Sequence, residues 1–263
     1  MQEKRNRVTG ILIGLAAGDR IGGPTHMALR LGESLYECGN FNLEDIRNRY
    51  FAWWKEGAFD TGPTTARVFE LVDSGSSFEE ATAQVHFELG GLTAGCNPVH
   101  RATPLAMLNT LTDDDLKICA YNEAKITHHN EIAGDISAAA ISICRALILG
   151  ENWTDAIANA KLGRLDVTSN ALKMQPFESL NRDGFAPHVL SAAAYFVASS
   201  RDFNTMLKRA ISFAGPANYC PVLAGSIGGA RWGASNIDSA WFANNNVISR
   251  IKTVAEFLAS SWS

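Results

Sequence analysis

Apolar residues recur at helical spacing along almost the entire chain, and this feature constrains the fold more than any other. The stretch 42–54 places one apolar face in the order Leu43, Ile46, Tyr50 and Trp53. The same periodicity runs through 131–150 and 247–262. No stretch alternates apolar and polar residues as a half-buried strand does, and no hairpin turn separates two β-branched runs. The sequence therefore predicts an all-α fold.

Capping residues mark where these helices begin and end. Ser77 and Thr112 each precede an acidic residue by three positions, which is the capping-box pattern. Asp202 is typical of an N-cap and Gly150 of a helix C-terminus. Most links are short, so we expect the helices to pack as a single domain over residues 1–263. The exception is 163–187, which predicts either a functional loop or short helical pieces.

The charge balance argues against some classes of partner. The chain has 23 Lys and Arg against 27 Asp and Glu, a net charge of −4, and no long basic cluster. This composition argues against a nucleic-acid partner. The apolar run near the N-terminus ends at Asp19 and Arg20, so it favours neither a signal peptide nor a membrane span. The five scattered cysteines predict free thiols and a cytoplasmic location.

The glycines of this N-terminal run carry a separate prediction. Gly10, Gly14 and Gly18 are four residues apart and therefore fall on one helix face. Because glycine has no Cβ, such a face lets another backbone approach closely. We expect this stripe to be a packing feature.

Four junctions between predicted helices are rich in glycine, proline and small residues, at 10–26, 57–68, 95–107 and 215–234. The second reads GAFDTGPTTARV and sets Asp60 and three threonines beside the start of an apolar run. Such a junction either binds a metal, binds an anionic ligand at free backbone N–H groups, or only caps a helix. Two further polar stretches, 126–135 and 183–196, lie between the last two junctions.

The order of these stretches resembles the ADP-ribosylglycohydrolase family. Its opening motif is matched by Gly10, Gly14, Ala16, Gly18, Asp19, Gly22 and Pro24. Its middle motif is echoed by Gly95, Asn97, Arg101, Pro104 and Leu105, and its short turn by Thr127 and His128. Its next helix is echoed by Gly184, Phe185 and Leu190, and its closing motif by Ala224, Gly225, Ser226, Gly229, Ala230 and Gly233. The resemblance covers nearly the whole chain.

The resemblance implies an all-α fold in which the junctions surround one cleft. It also implies hydrolysis of the N- or O-glycosidic bond at the distal ribose of ADP-ribose. In the family, two Mg²⁺ or Mn²⁺ ions position the ribose and the attacking water.

The departures from the family fall on the residues that would hold these metals. Where the family has its first acidic run, the chain has Asp60-Thr61-Gly62-Pro63, and in place of the second it has Pro216-Ala217-Asn218-Tyr219. His26 stands where an acidic residue is often found. Two divalent ions need several carboxylates, so we expect no binuclear site and no cofactor, with a single weakly bound Mg²⁺ left open.

The resemblance makes Asp60 the candidate catalytic residue, either as a general base or as a partner of a ribose hydroxyl; the alternative is a helix cap. The candidate ligand-binding residues are Asp19, His26, Thr61, Thr64, Thr65, Asn97, His100, Arg101, His128, Asn218, Tyr219 and Cys220. Several have a structural alternative: Asp19 as a buried hydrogen-bonded carboxylate, Arg101 as a loop anchor, and one of His128 and His129 as a helix cap. A zinc half-site at Cys96 and His100, or a Cys220 nucleophile, is less favoured than small buried cysteines.

Two functions follow from these candidates. The first is a divergent hydrolase of an ADP-ribosyl or nucleoside-type small molecule, acting without the family's metal pair. The second is a catalytically silent member that binds ADP-ribose or a nucleotide, or has a structural role. The lost acidic runs favour the second, whereas Asp60 and the polar junctions favour the first. The oligomeric state is left open.

Overall fold

The computed structural model describes residues 1–262, and within them the chain forms fourteen α-helices. In chain order the helices are α1 (Gln2–Gly18), α2 (Gly23–Cys38), α3 (Leu43–Lys55), α4 (Pro63–Asp73), α5 (Phe78–Glu88), α6 (Asn97–Arg101), α7 (Asp113–Ala124), α8 (Glu131–Leu149), α9 (Trp153–Ala160), α10 (Asp166–Ala171), α11 (Ala186–Ala198), α12 (Phe203–Ala214), α13 (Cys220–Trp232) and α14 (Ile248–Ser260). Short 3₁₀ helices span Thr103–Met107, Phe177–Ser179, Ala234–Asn236 and Ser239–Phe242.

The all-α prediction is confirmed for residues 1–262, whose β-type pairing is limited to an isolated bridge between Gly95 and Phe185. This bridge joins two distant loops, because the Cys96 amide donates to the Gly184 carbonyl at 2.9 Å. The segment 163–187 holds α10 and a 3₁₀ turn, so the expectation of short helical pieces is confirmed.

The predicted helix boundaries are also confirmed. Ser77 and Thr112 each form a complete capping box, with Glu80 and Asp115 respectively, at the starts of α5 and α7. Asp202 caps α12 through the Thr205 amide, as predicted. Gly150 ends α8 in the left-handed region at φ 95°, where a residue with a Cβ is strained.

Helices α1 and α13 cross at their glycines, as the spacing predicts. A Cβ added at Gly10 would lie 2.2 Å from the Gly229 carbonyl oxygen, and one at Gly14 would lie 2.1 Å from that of Gly225. Both distances are far inside van der Waals contact, so only glycine allows this separation. The crossing brings the end of α1 beside the start of α13 and thereby sets the loops that follow Gly18 and precede Cys220 next to each other.

Helix α8 is the central apolar helix of the core. By length and composition alone it is apolar enough to cross a membrane. Of its most apolar window, 83% is buried inside the structure against surrounding helices. Only this helix among residues 1–262 meets that length and hydropathy criterion.

Candidate functional site

The candidate site is built around the tight loop between α3 and α4. Gly57 and Gly62 have φ of 92° and 72°, and Asp60 lies between them at φ 53°. Asp60 is the single non-glycine residue of positive φ in residues 1–262. Aspartate tolerates this left-handed region better than most residues, and such conformations cluster at functional sites.

Asp60 does not cap α4. The N-cap of that helix is Gly62, and no side chain closes its first turn. The helix-cap alternative for Asp60 is therefore wrong; the residue as a whole is exposed, while its carboxylate is partly buried beside Asn218 and the Gly23 amide.

Asp19 forms the buried floor beneath this loop. Its Oδ1 accepts hydrogen bonds from the amides of Ile21 and Gly22 at 3.2 and 2.8 Å, and its Oδ2 accepts two from the amide and hydroxyl of Thr25 at 2.8 and 2.7 Å. A fifth comes from Asn218 Nδ2 to Oδ1 at 2.6 Å. A buried carboxylate needs such partners. Of its two alternatives, ligand binding and a buried structural carboxylate, Asp19 has the structural one.

Asn218 connects the two sides of the site. While its amide nitrogen donates to Asp19, its Oδ1 accepts the Arg20 amide at 3.0 Å. Asn218 is buried and fixed from both ends, so the loop before α13 is tied to the loop after α1. Asn218 also lies close to Asp60, which agrees with the expectation that the helix junctions surround one cleft.

The surroundings of Asp60 raise its pKa. Partial burial is the largest cause, and the negative charge of Asp19 is the second. The Asn218 side chain and the Gly23 amide act in the opposite direction because they stabilise the carboxylate. Gly23 is in direct contact, since a Cβ added there would lie 2.8 Å from the Asp60 Cβ. A raised pKa makes a carboxylate a better proton acceptor at neutral pH.

A second acidic residue, Asp183, faces the same wall. The wall consists of the buried Cys96 and the ring of Tyr219, which is 38% exposed and packs 3.2 Å from the position of a Cβ on Gly184. Burial raises the pKa of the Cys96 thiol to about 12, and the charges of Asp60 and then Asp183 add to this. Burial is also the main cause of the raised pKa of the Tyr219 hydroxyl, and Cys96 and then the same two carboxylates add to it. Asp60 and Asp183 are therefore both close to this wall.

Asp183 and His188 form a pair that the sequence analysis missed. His188 Nδ1 lies 2.9 Å from Asp183 Oδ1, and both side chains are accessible to solvent. The Phe185 ring packs edge-on against His188 at 5.1 Å between ring centroids. The signal available in the sequence was an aspartate five residues before a histidine across the start of α11.

The threonines of the Asp60 loop are mostly engaged by Asn97. The Asn97 amide donates to the Thr61 carbonyl and to the Thr65 hydroxyl, the latter at 3.1 Å. Thr61 and Thr65 are buried, whereas Thr64 is partly exposed in the first turn of α4. Thr64 is thus the threonine whose hydroxyl is accessible to a ligand.

His26 packs in a cluster of aromatic side chains beside the Asp60 loop. Its ring stacks on Trp53 at 5.8 Å between centroids and meets the edge of Phe59 at 5.4 Å. His26 and Phe59 line a cavity of about 300 Å³ that also includes Asp19. Burial and the charge of Arg30 lower the pKa of His26, so the ring is neutral at pH 7.

Arg101 is a structural anchor and not a ligand contact, which were its two alternatives. Its side chain is fully buried, with Nε 2.5 Å from Glu123 Oε1 and Nη2 2.9 Å from the Thr127 hydroxyl. The guanidinium also stacks on the ring of Tyr50 at 4.9 Å. No part of it is accessible to a phosphate, so Arg101 is not among the residues that the cleft offers to a ligand.

The remaining buried candidates are neutral scaffold groups. Burial lowers the pKa of His100 to about 4 and that of His128 to about 3. Burial likewise raises the pKa of the Cys220 thiol, which disfavours a thiolate nucleophile. The cap of α8 is Asn130, so the expectation that His128 or His129 caps this helix is wrong.

These histidines predict a loss of stability on acidification. In the unfolded chain a histidine takes up a proton near pH 6.5, but in the folded chain His100 and His128 stay neutral to about pH 4 and 3. The stability is therefore complete above pH 6.5 and falls as the pH drops toward 4, by roughly 1.4 kcal/mol per pH unit for each histidine.

Urea denaturation at pH 7.0 and 5.5 measures this slope. His128→Asn should reduce it clearly, whereas His129→Asn, a change at the exposed neighbour, should leave most of it. Equal slopes in the wild type and both variants would contradict the assignment.

Comparison with known proteins gives the family. Residues 1–262 match the family described as ADP-ribosylglycohydrolase. An ADP-ribosyl-[dinitrogen reductase] glycohydrolase from Rhodospirillum rubrum is 23% identical over 83% of this chain and 71% of its own length. The ADP-ribosylarginine hydrolase Tri1 of Serratia proteamaculans is also 23% identical, over 97% of this chain and 80% of its own.

A solved structure shares the fold. A chain of an ADP-ribosylglycohydrolase-related protein complex superposes with a TM-score of 0.81 at 22% identity, and the match covers 99% of both chains. The match over 262 residues, the helical fold and the ordered junctions agree. The chain belongs to the ADP-ribosylglycohydrolase family.

Proposed function

We propose that this protein hydrolyses a glycosidic bond of an ADP-ribosyl or nucleoside-type small molecule in the cytoplasm, without the binuclear metal site of its family. The observation that carries the proposal is Asp60, a partly buried carboxylate with a raised pKa in an exposed left-handed turn. Relatives named as hydrolases of ADP-ribosylated dinitrogen reductase and ADP-ribosylarginine support this class of substrate.

Asp60 acts as the general base. Its carboxylate accepts a proton from water while the water oxygen bonds to the anomeric carbon. The glycosidic bond breaks, and the leaving group departs with the bonding electron pair and takes a proton from solvent. An oxocarbenium-like centre is a strong electrophile, so the water needs only modest activation.

The rest of the cleft positions the sugar. The buried Asn218 side chain holds the Asp60 carboxylate, and the partly exposed Thr64 hydroxyl is the group of this loop that suits a ribose hydroxyl. The exposed face of the Tyr219 ring suits stacking on a sugar or a base. Asp183, paired with His188, acts on the same Cys96–Tyr219 wall and suits a further polar contact with the ligand.

The donor set fits a metal pair poorly. Both oxygens of Asp19 accept hydrogen bonds from N–H and O–H groups, and Asn218 presents its amide nitrogen to Asp19. Asp60 is the one carboxylate in the two ligand runs, and the Asn218 side chain and the Gly23 amide already stabilise it. Two divalent ions carry about four positive charges and need several anionic oxygens. We therefore propose chemistry that needs no metal.

Metal independence predicts almost no thermal response. Millimolar Mg²⁺ or Mn²⁺ should shift the melting temperature by less than about 1 °C relative to a matched NaCl control, because weak binding to the native state stabilises it little. Differential scanning fluorimetry with and without chelator measures this. A saturable shift of several degrees that EDTA removes would overturn the proposal.

The second candidate is a silent member that binds ADP-ribose without cleaving it. The observation that favours it is the engagement of Asp19 and Asn218 with each other, which leaves Asp60 as the one further carboxylate beside them. Release of free ADP-ribose from an ADP-ribosylated arginine peptide separates the candidates. The hydrolase should release it in many turnovers, whereas the silent binder should bind ADP-ribose in a calorimeter and release nothing.

A further inference from the structure

Helices α9 and α11 each turn one face toward a cavity of about 340 Å³, called here the α9–α11 cavity. The lining residues recur at helical spacing, with Trp153, Thr154, Ile157 and Ala158 on α9 and Ser191, Ala194, Tyr195 and Ala198 on α11. Lys161 and the segment 172–175, which follows α10, complete the lining. None of these residues is a candidate residue of the Asp60 cleft. The volume suits a small organic ligand.

Two aromatic rings of this cavity are held in place by neighbours outside it. The half-buried Tyr195 ring contacts Phe177 at 6.0 Å and the edge of Phe196 at 5.4 Å between ring centroids. The Arg231 guanidinium packs over the Trp153 ring at 5.4 Å. The fold itself therefore positions both rings, as in the largely pre-formed pockets that bind small molecules.

Apolar surface continues from the inner wall of the cavity to its mouth. Leu172 and Ala194 are buried and form the inner part, whereas Met174 is 64% exposed and lies at the mouth. A methionine side chain is flexible and polarisable, so it adapts its shape to a ligand. A ligand with an aliphatic chain would cover this surface and remove it from water, which is favourable.

The charge of the lining has one sign. Its charged residues are Lys161 and Lys173, and no carboxylate among residues 1–262 lines the cavity. Lys173 Nζ donates to the neutral Asn170 side chain at 2.7 Å, and this contact leaves its positive charge uncompensated. A lysine stem packs along apolar surface while its ammonium group stays in water. The cavity thus combines apolar walls with two cations and no anion.

We propose that the α9–α11 cavity binds a medium-chain carboxylate, with the chain along the apolar walls and the carboxylate beside Lys161 and Lys173. Each buried CH₂ group contributes about fourfold to affinity. The two ammonium groups attract the carboxylate, and no anionic side chain of the lining repels it. The same charges disfavour a cationic ligand and give a neutral alcohol no electrostatic gain. This site is independent of the proposed hydrolysis.

Isothermal titration of the full chain with octanoate tests the proposal, with hexanoate, 1-octanol and octylammonium as comparison probes at matched ionic strength. Octanoate should bind saturably and about tenfold more tightly than hexanoate, which lacks two CH₂ groups. It should bind a few-fold more tightly than 1-octanol, since ion pairs near the surface are weak, and octylammonium should bind more weakly than either. Asp60→Asn should leave octanoate binding unchanged, which separates it from any binding in the other cleft.

Two cavity variants locate the binding and separate its apolar and charged parts. Ala158 is exposed on α9, so Ala158→Phe should fill the cavity without disturbing the core. This change should weaken octanoate and 1-octanol alike, by at least about tenfold. The double change Lys161→Gln with Lys173→Gln should remove the preference for octanoate over 1-octanol. It should retain 1-octanol binding, which shows that the cavity is intact.

A second lysine pair controls for net charge. Lys125 and Lys208 are exposed and lie outside the cavity, so Lys125→Gln with Lys208→Gln should keep the preference for octanoate. Octanoate binding that Ala158→Phe leaves undiminished, or a preference lost equally in both double variants, would overturn the proposal. Sedimentation with phosphatidylglycerol vesicles without saturable octanoate binding would indicate a lipid surface instead, and would overturn it as well.

Discussion

Replacing Asp60 with asparagine is expected to abolish hydrolysis and to retain part of the ligand affinity. Asparagine accepts a hydrogen bond but cannot take a proton, so we expect a rate loss of about 10²–10⁴-fold. Asparagine also tolerates positive φ, and the turn at φ 53° should therefore persist. Steady-state kinetics and calorimetric titration with ADP-ribose measure the two effects.

Deletion of the side chain should be made with glycine, because an alanine at this φ would add strain of its own. Asp60→Gly should weaken ADP-ribose binding by about 1–3 kcal/mol, as expected for a lost charged hydrogen-bond partner. Asp73→Asn, at the exposed end of α4, is the matched control and should change neither rate nor affinity. Unchanged kinetics in Asp60→Asn would remove Asp60 from the mechanism.

Replacing Arg101 with methionine should destabilise the protein by about 3–5 kcal/mol, the range for a broken buried ion pair. The change leaves the fully buried carboxylate of Glu123 with the Tyr50 hydroxyl, at 2.8 Å, as its one side-chain donor in residues 1–262. Chemical denaturation measures the loss. The double change Arg101→Met with Glu123→Gln should recover much of it, because no charge is then left unpaired.

A surface pair supplies the control for this prediction. Lys55 and Asp73 are about half exposed, at 54% and 43%, and Lys55→Met should cost no more than about 1 kcal/mol. A loss in Arg101→Met as small as that of Lys55→Met would contradict the structural role of Arg101.

The fold could be predicted largely because its signals are local. A capping box such as Ser77 with Glu80 needs only four residues, and the Gly10–Gly14–Gly18 face needs only helical spacing. The sequence did not show that α13 packs against this glycine face of α1. The two helices are more than 200 residues apart and share no local pattern.

The site was less predictable because its properties are tertiary. Neither the positive φ nor the raised pKa of Asp60 is visible in its own loop, since Gly23 and Asp19 come from another part of the chain. Asp183 was missed for the same reason: it meets the Cys96–Tyr219 wall only through the bridge between two loops.

Arg101 illustrates the opposite error. Its place in a glycine- and proline-rich junction suggested a ligand contact. The sequence did not reveal that its guanidinium forms an ion pair with Glu123 on the next long helix. A fully buried arginine beside a fully buried glutamate is a scaffold element. Such pairs become visible only when burial is known.

In the proposed mechanism, Asp60 drives glycosidic hydrolysis without a metal pair. Release of ADP-ribose from an ADP-ribosylated arginine peptide, followed by chromatography in excess EDTA, tests this claim most directly. We predict that the wild type releases ADP-ribose at the same rate with EDTA as with millimolar Mg²⁺, and that Asp60→Asn releases almost none. Release that occurs only after Mg²⁺ or Mn²⁺ is added, or that continues undiminished in Asp60→Asn, would contradict it.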